Sequence, residues 1–280
     1  MASDLQHGEQ FHDAWTERVR RQVALVGGNA SHSHKLIARR RRDLRFRILP
    51  YDTFWIANAA AVFATAMAIL IVVFDPLLPA WHEKLPQTVV SVFRYVTRFG
   101  QSDWILIGTG LFLILMLVRD ASTLRPRLRA RQAVRSYAAL YVFVSVAISG
   151  IVANISKYVI GRARPRYFGE TGTVSFDLFS GDASWASFPS GHATTAMALG
   201  VSLALLFPRL RWVFLCVGFW IAASRLFLLQ HYPSDMLAGC ALGGTVAWLF
   251  ARALARRRLV FAFDGNGGLV RRRGASGRLN

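Results

Sequence analysis

The chain has 280 residues, 54% of them apolar, a mean hydropathy of +0.34 and a formal net charge of +19. A soluble domain does not combine these figures, whereas a polytopic membrane protein with basic loops does. Most of the arginines flank apolar runs, where they set topology and meet anionic headgroups, which reads against nucleic acid as a partner.

In chain order, residues 1–50 read as a basic, polar arm, helical or disordered. Its Ser31-His32-Ser33-His34 run offers two imidazoles without further ligands, too few for a metal site. The arm has no signal-peptide apolar core, so the first span is expected to stay as an anchor. Six apolar stretches follow, at roughly 54–74, 104–118, 136–156, 193–207, 212–229 and 236–251. A span takes about 20 residues, so the second and fourth are short and need polar flanks near the interface. The expected fold is all-α: a polytopic membrane bundle of about six transmembrane helices over 51–252, with its catalytic core at 136–252 and a basic tail at 253–280.

Charge sets the orientation. Residues 1–50 hold ten Lys/Arg, 119–135 six, 208–211 two and the tail from Arg252 eight, so 26 of 34 lie on one side. By the positive-inside rule both termini are cytoplasmic. The other eight, Lys84, Arg94, Arg98, Lys157, Arg162, Arg164, Arg166 and Arg225, fall on the opposite side, and four of them share one short segment.

The first external connection, 75–103, carries Val89, Val92, Phe93, Val96 and Phe99 at helical spacing. This predicts an amphipathic helix, lying in the interface or packed over the bundle. The second, 165–189, holds Gly169, Gly172, Gly181, three acids and Trp185, the composition of a rim or lid. On the last span, Gly239 and Gly243 permit close helix packing. Cys216 and Cys240 lie in apolar runs as packed thiols.

Three polar clusters interrupt this pattern: Lys157-x6-Arg164-Pro165, Pro189-Ser190-Gly191-His192, and Ser224-Arg225-x5-His231-x3-Asp235. In the topology read from charge, all three fall at the outer ends of spans and converge on one rim. Their residue types suit phosphate. Lys157 gives a point charge, and Arg164 and Arg225 can fork two donors onto paired oxygens. Ser190 is a good N-cap, and Gly191 lets an anion approach the first N–H groups of the helix it opens. His192 at that helix mouth is placed as a proton donor. His231, with Asp235 hydrogen-bonded to one ring nitrogen, would present the other nitrogen to phosphorus.

These motifs resemble the type 2 phosphatidic acid phosphatase (PAP2) superfamily, whose pattern KxxxxxxRP, PSGH and SRxxxxxHxxxD is matched at each defining position and in order. The resemblance covers about 157–235 and, through the six-span layout, most of the chain. It implies a phosphohistidine at His231, orientation by Asp235, protonation of the leaving oxygen by His192, and phosphate binding by Lys157, Arg164, Ser190, Gly191 and Arg225. It implies no metal and no cofactor. The expected activity is hydrolysis of a lipid phosphate monoester or diphosphate at the outer face. Candidate substrates are phosphatidic acid, phosphatidylglycerophosphate, undecaprenyl diphosphate and lipid A 1-phosphate. The expected location is a bacterial inner membrane with the site facing the periplasm, without an obligatory protein partner. Phosphotransfer to another acceptor is the alternative. A vanadium haloperoxidase would leave six apolar spans unexplained, and a non-enzymatic transporter or scaffold would not need every motif residue.

Overall fold

A computed structural model describes residues 15–29, 31, 42–120 and 124–272; His32 and His34 lie outside them. A helix over 15–29 (α1) precedes α2 (Thr53–Ile69), which ends in a π turn at Leu70–Phe74. There follow α3 (Leu78–Glu83), α4 (Gln87–Val96), α5 (Asp103–Val118), α6 (Pro126–Ile160), α7 (Phe168–Thr171), α8 (Gly191–Leu206), α9 (Arg211–Phe227) and α10 (Pro233–Arg256). The six expected stretches fall on α2, α5, α6, α8, α9 and α10.

Among the described residues five segments are long and apolar enough to cross a membrane, the second of them running from α4 through a 3-10 turn (Thr97–Gly100) into α5. The sixth helix, α8, has only 16 residues, about 24 Å against a hydrocarbon core of about 30 Å. Its position explains its tolerance. It packs between α6, α9 and α10, and nine of its residues are buried, six of them Ala, Gly or Ser.

Small residues set the spacing there, as expected for α10. A Cβ on Gly243 would strike the Thr194 carbonyl, and one on Gly239 the Ser190 carbonyl. On the other side of α8, a Cβ on Gly200 would lie 3.0 Å from the Phe214 carbonyl oxygen and one on Gly218 3.0 Å from that of Ala196. Backbones that approach this closely gain dispersion and exclude a sliding register.

At 35 residues, α6 outruns the hydrocarbon at about 52 Å, and its basic first turns extend beyond it. Gly161 ends it in the left-handed conformation, φ +57°, where a Cβ would collide with the Asp177 carbonyl.

The connection at 75–103 forms the predicted helix, and it packs over the bundle. One face of α4 packs on the bundle, with Phe93 stacked on Phe227 at 3.7 Å between centroids, while Val92 and Tyr95 are exposed. The second connection is tied down more than a lid composition suggests. Asp177 N–H donates to Gly161 O, Arg164 N–H to Ser184 O and Ser187 N–H to Arg162 O.

The tail differs from expectation. Beyond α10 it forms a hairpin, β1 (Phe261–Phe263) antiparallel to β2 (Leu269–Arg271), whose Phe261 is buried edge-on against Tyr141. The arm joins the same end, where Arg252 donates to the carbonyls of Arg47, Ile48 and Gly267. A three-residue strand among arginines leaves no period-2 signal to read.

Candidate active site

The end of the bundle opposite that hairpin gathers all three clusters. Each arrives on a helix terminus for a local reason. Ser190 caps α8 in an extended conformation, after a cis Phe188–Pro189 peptide, and His192 is the second residue of the helix. Pro233 starts α10, and Asp235 at its third position reaches back to accept the Tyr232 N–H at 2.9 Å. The two termini are joined directly, since Ser190 N–H donates to the Asp235 carbonyl at 3.0 Å.

Around this junction stand the cations. Lys157 Nζ reaches the Gly191 turn, so close that a Cβ there would lie 2.9 Å from it and push the ammonium aside. Arg164 is braced by the Ala183 carbonyl (2.9 Å) and Gln230 Oε1 (3.1 Å). Arg225 donates from Nη1 to Thr97 Oγ1 at 3.0 Å, and its Nε is buried without a hydrogen-bond partner. Three cations with few carboxylate neighbours leave donors free for an anion. His192 is half-buried beneath the 3-10 turn, where a Cβ on Gly100 would meet its ring at 3.1 Å. The site residues are within electrostatic reach of one another: His192 of His231, Lys157, Arg164 and Arg225, and His231 of Arg225 and Arg164.

One sequence-based contact is displaced. His231, 2% exposed, has its Nδ1 2.8 Å from the Ser187 carbonyl, while the Asp235 carboxylate is 3.7 Å away, beyond hydrogen-bond range. Asp235 is already engaged. Its Oδ2 accepts from Ser187 Oγ at 2.6 Å and from Tyr232 N, and its Oδ1 from Arg162 at 2.7 Å. Ser187 therefore mediates, its hydroxyl on Asp235 and its carbonyl on His231. The carbonyl is an acceptor, so Nδ1 carries the proton and Nε2 the lone pair. Burial pushes the His231 imidazole down to about 4, with Asp235 opposing and Arg225 and Arg164 adding to the shift. The neutral, nucleophilic form thus persists through neutral pH.

Sequence reasoning passed over six residues here: Asp75, Thr97, Gly100, Arg162, Ser187 and Ser234. Arg162 left a signal, being one of the few cations that the charge count sets apart from the basic termini and loops. Asp75 is an isolated acid directly after an apolar span. The serines, Thr97 and Gly100 leave none. Among the described residues no group of three His, Cys, Asp or Glu could hold a metal ion.

The sequence profile of the PAP2 superfamily matches residues 138–259. The chain is 38% identical over 211 residues to a lipid A 1-phosphatase of Rhizobium etli, which spans 74% of this chain and 90% of that one. It is 37% identical over 211 residues to a lipid A 1-phosphatase of Rhizobium johnstonii, spanning 74% and 85%. Among solved structures it is similar to a transmembrane PAP2-type phosphatidylglycerolphosphate phosphatase from Bacillus subtilis, with 20% identity and a TM-score of 0.47 over 70% of this chain and 90% of that one. With this identity over nearly the whole length of its relatives, the chain belongs to the PAP2 superfamily.

Proposed function

We propose that the chain is a membrane lipid phosphatase that removes the phosphate monoester at the 1-position of a lipid A-type glycolipid through a phosphohistidine on His231. The observation that carries the chemistry is the gathering of Lys157, Arg164 and Arg225 with the α8 N-terminus around two imidazoles on one rim. The substrate class rests on the two relatives whose names give that activity.

In the first step the Nε2 lone pair of His231 attacks phosphorus and the bond to the sugar oxygen breaks. His192 gives its proton to that oxygen as it leaves. Charge developing on the equatorial oxygens is met by the three cations and the Gly191 N–H at the mouth of α8. Water then attacks the P–N bond, His192 takes its proton, and inorganic phosphate departs with His231 neutral again. Asp235 and Ser187 hold the ring so that Nδ1 keeps its proton.

The site would face the periplasm from a bacterial inner membrane, with both termini cytoplasmic. The positive-inside rule, applied to a sequence in which 26 of 34 Lys/Arg fall in the termini and the connections on their side, supports that reading. A lipid that cannot leave the bilayer suits a site at helix ends.

The test is phosphate release by purified protein in detergent from lipid A 1-phosphate, undecaprenyl diphosphate, phosphatidylglycerophosphate and phosphatidic acid, with His231→Ala beside wild type. Release from lipid A 1-phosphate above the rest, lost in the variant, is expected. Release from another lipid first would overturn the substrate, and activity in His231→Ala would overturn the mechanism.

A further inference from the structure

The first span has little holding it to the bundle. No residue of α2 or of its π turn is buried, and at its far end Tyr51 stacks on Trp248 at 6.2 Å. Yet Asp75, one residue past the π turn, is 0% exposed. It reaches across the outer end of the bundle into the first turn of α10, the helix that carries Asp235.

The link is a closed set of charged hydrogen bonds. Asp75 Oδ1 accepts the Ser234 N–H at 3.1 Å, and Oδ2 accepts Ser234 Oγ–H and Arg162 Nη2 at 2.8 Å. Arg162 spends the rest of its fork within the same cluster. Its Nη1 donates to Ser234 Oγ and to Asp235 Oδ1, both at 2.7 Å, and its Nε and Nη2 donate to the Thr173 carbonyl at 3.1 and 2.8 Å. Its guanidinium lies over the Tyr232 ring at 4.4 Å. One buried cation therefore joins two buried carboxylates, one from the first span and one from the candidate site. A guanidinium held this way has a single orientation, because each donor is used and the fork is planar.

We propose that Asp75 is a positioning residue for the reaction: through Arg162 and Ser234 it fixes the Asp235 carboxylate, and with it the Ser187–His231 contact that aims Nε2. This rests on the reading of His231 as nucleophile. The argument lies in what Arg162 does without Asp75. Its Nη2 and Ser234 lose a charged acceptor in a buried place, and an uncompensated guanidinium turns onto the remaining carboxylate. A two-pronged grip on Asp235 pulls Oδ2 away from Ser187 Oγ and Tyr232 N. The turn carrying His231 then shifts, while Arg225, held by Thr97, and Arg164, held by the Ala183 carbonyl, stay in place. The first span, outside the matched profile at 138–259, thereby contributes a residue to the geometry of the site.

The test uses the full chain in detergent, with Asp75→Asn, Ser234→Ala and His231→Ala beside wild type. The readouts are kcat, KM, inhibition by inorganic phosphate and the melting temperature. For Asp75→Asn we expect kcat to fall about 10- to 100-fold, the scale of a misaimed reacting group, with KM and inhibition by phosphate unchanged. Ser234→Ala, which leaves both charges paired, is expected to lose less in the same direction and decides the matter if Asp75→Asn does not fold. Wild-type kcat in every folded variant would overturn the proposal, reducing Asp75 to a tether of the first span. A parallel loss of kcat and of phosphate inhibition would overturn it too, as collapse of the whole pocket. Activity retained by His231→Ala would instead bring down the underlying reading of the site.

Discussion

A methyl group at Gly243 should separate two helices, and with them the two halves of the site. A Cβ there would strike the Thr194 carbonyl oxygen and lie 2.9 Å from both Thr194 C and Ala198 N. All three are backbone atoms, so no rotamer change relieves them. Ordinary contact begins near 3.4 Å, so α8 and α10 must part by at least about 0.5 Å, and by more at the carbonyl. Overpacking of this kind costs about 1–3 kcal/mol, offset by about 1 kcal/mol of helix propensity gained on replacing glycine. Net destabilisation is therefore modest. The functional cost is larger, because Thr194 stands two residues after His192 and α10 bears Asp235. A misplacement of about 1 Å at reacting groups lowers rate about 100-fold, so Gly243→Ala should lose about 10- to 100-fold in kcat. The neighbour provides the control. A Cβ on Gly244 meets only Met197 Cγ and Val201 Cγ2, each at 3.5 Å, so Gly244→Ala should keep wild-type kcat. Phosphate release and thermal melting of the two variants in one detergent settle it; equal activity in both would refute the packing argument.

Four further outcomes are expected. Arg225→Lys keeps the charge but loses the fork braced by Thr97, and kcat/KM should fall about 100-fold, as for loss of one oxyanion donor. Asp235→Asn loses the ion pair with Arg162 and turns an acceptor into a donor facing Ser187 Oγ, so kcat should drop about 100-fold or more in stopped assays. The pH profile follows His231, which faces Asp235 from α10, Arg225 from α9, Arg164 from the segment after α6 and His192 from α8. Its pKa is depressed to about 4, so the neutral nucleophile persists as pH falls, and the acid limb of kcat/KM should lie near pH 4 instead of at the usual histidine value of about 6.5. A limb near 6.5 would show His231 to be solvated. Vanadate should inhibit and EDTA should not; strong EDTA inhibition would point to metal-dependent chemistry.

The reach of the sequence can be judged residue by residue. The six helices were legible because bilayer thickness imposes a run length that few other constraints produce, and α8 fell short of it for a reason only packing reveals. The meeting of Lys157, His192 and His231 followed from topology, since alternating spans force alternate ends together. What escaped were contacts fixed by side-chain competition. Asp235 at i+4 from His231 suggests a direct bond, but Arg162, Ser187 Oγ and Tyr232 N–H claim its oxygens first. Asp75 lies 160 residues from Asp235, and nothing local joins them. Gly100 looks like any loop glycine until His192 is found beneath it.

The central claim is that His231 carries the phosphate during turnover. Rapid alkaline quenching of the purified enzyme with its lipid substrate, followed by peptide mass spectrometry, reads this directly. A phosphoryl group on the His231 peptide, appearing within one turnover, decaying as inorganic phosphate rises and missing from His231→Ala, is the predicted result. Steady turnover with no phosphorylated peptide, or with phosphate on another residue, would contradict the account.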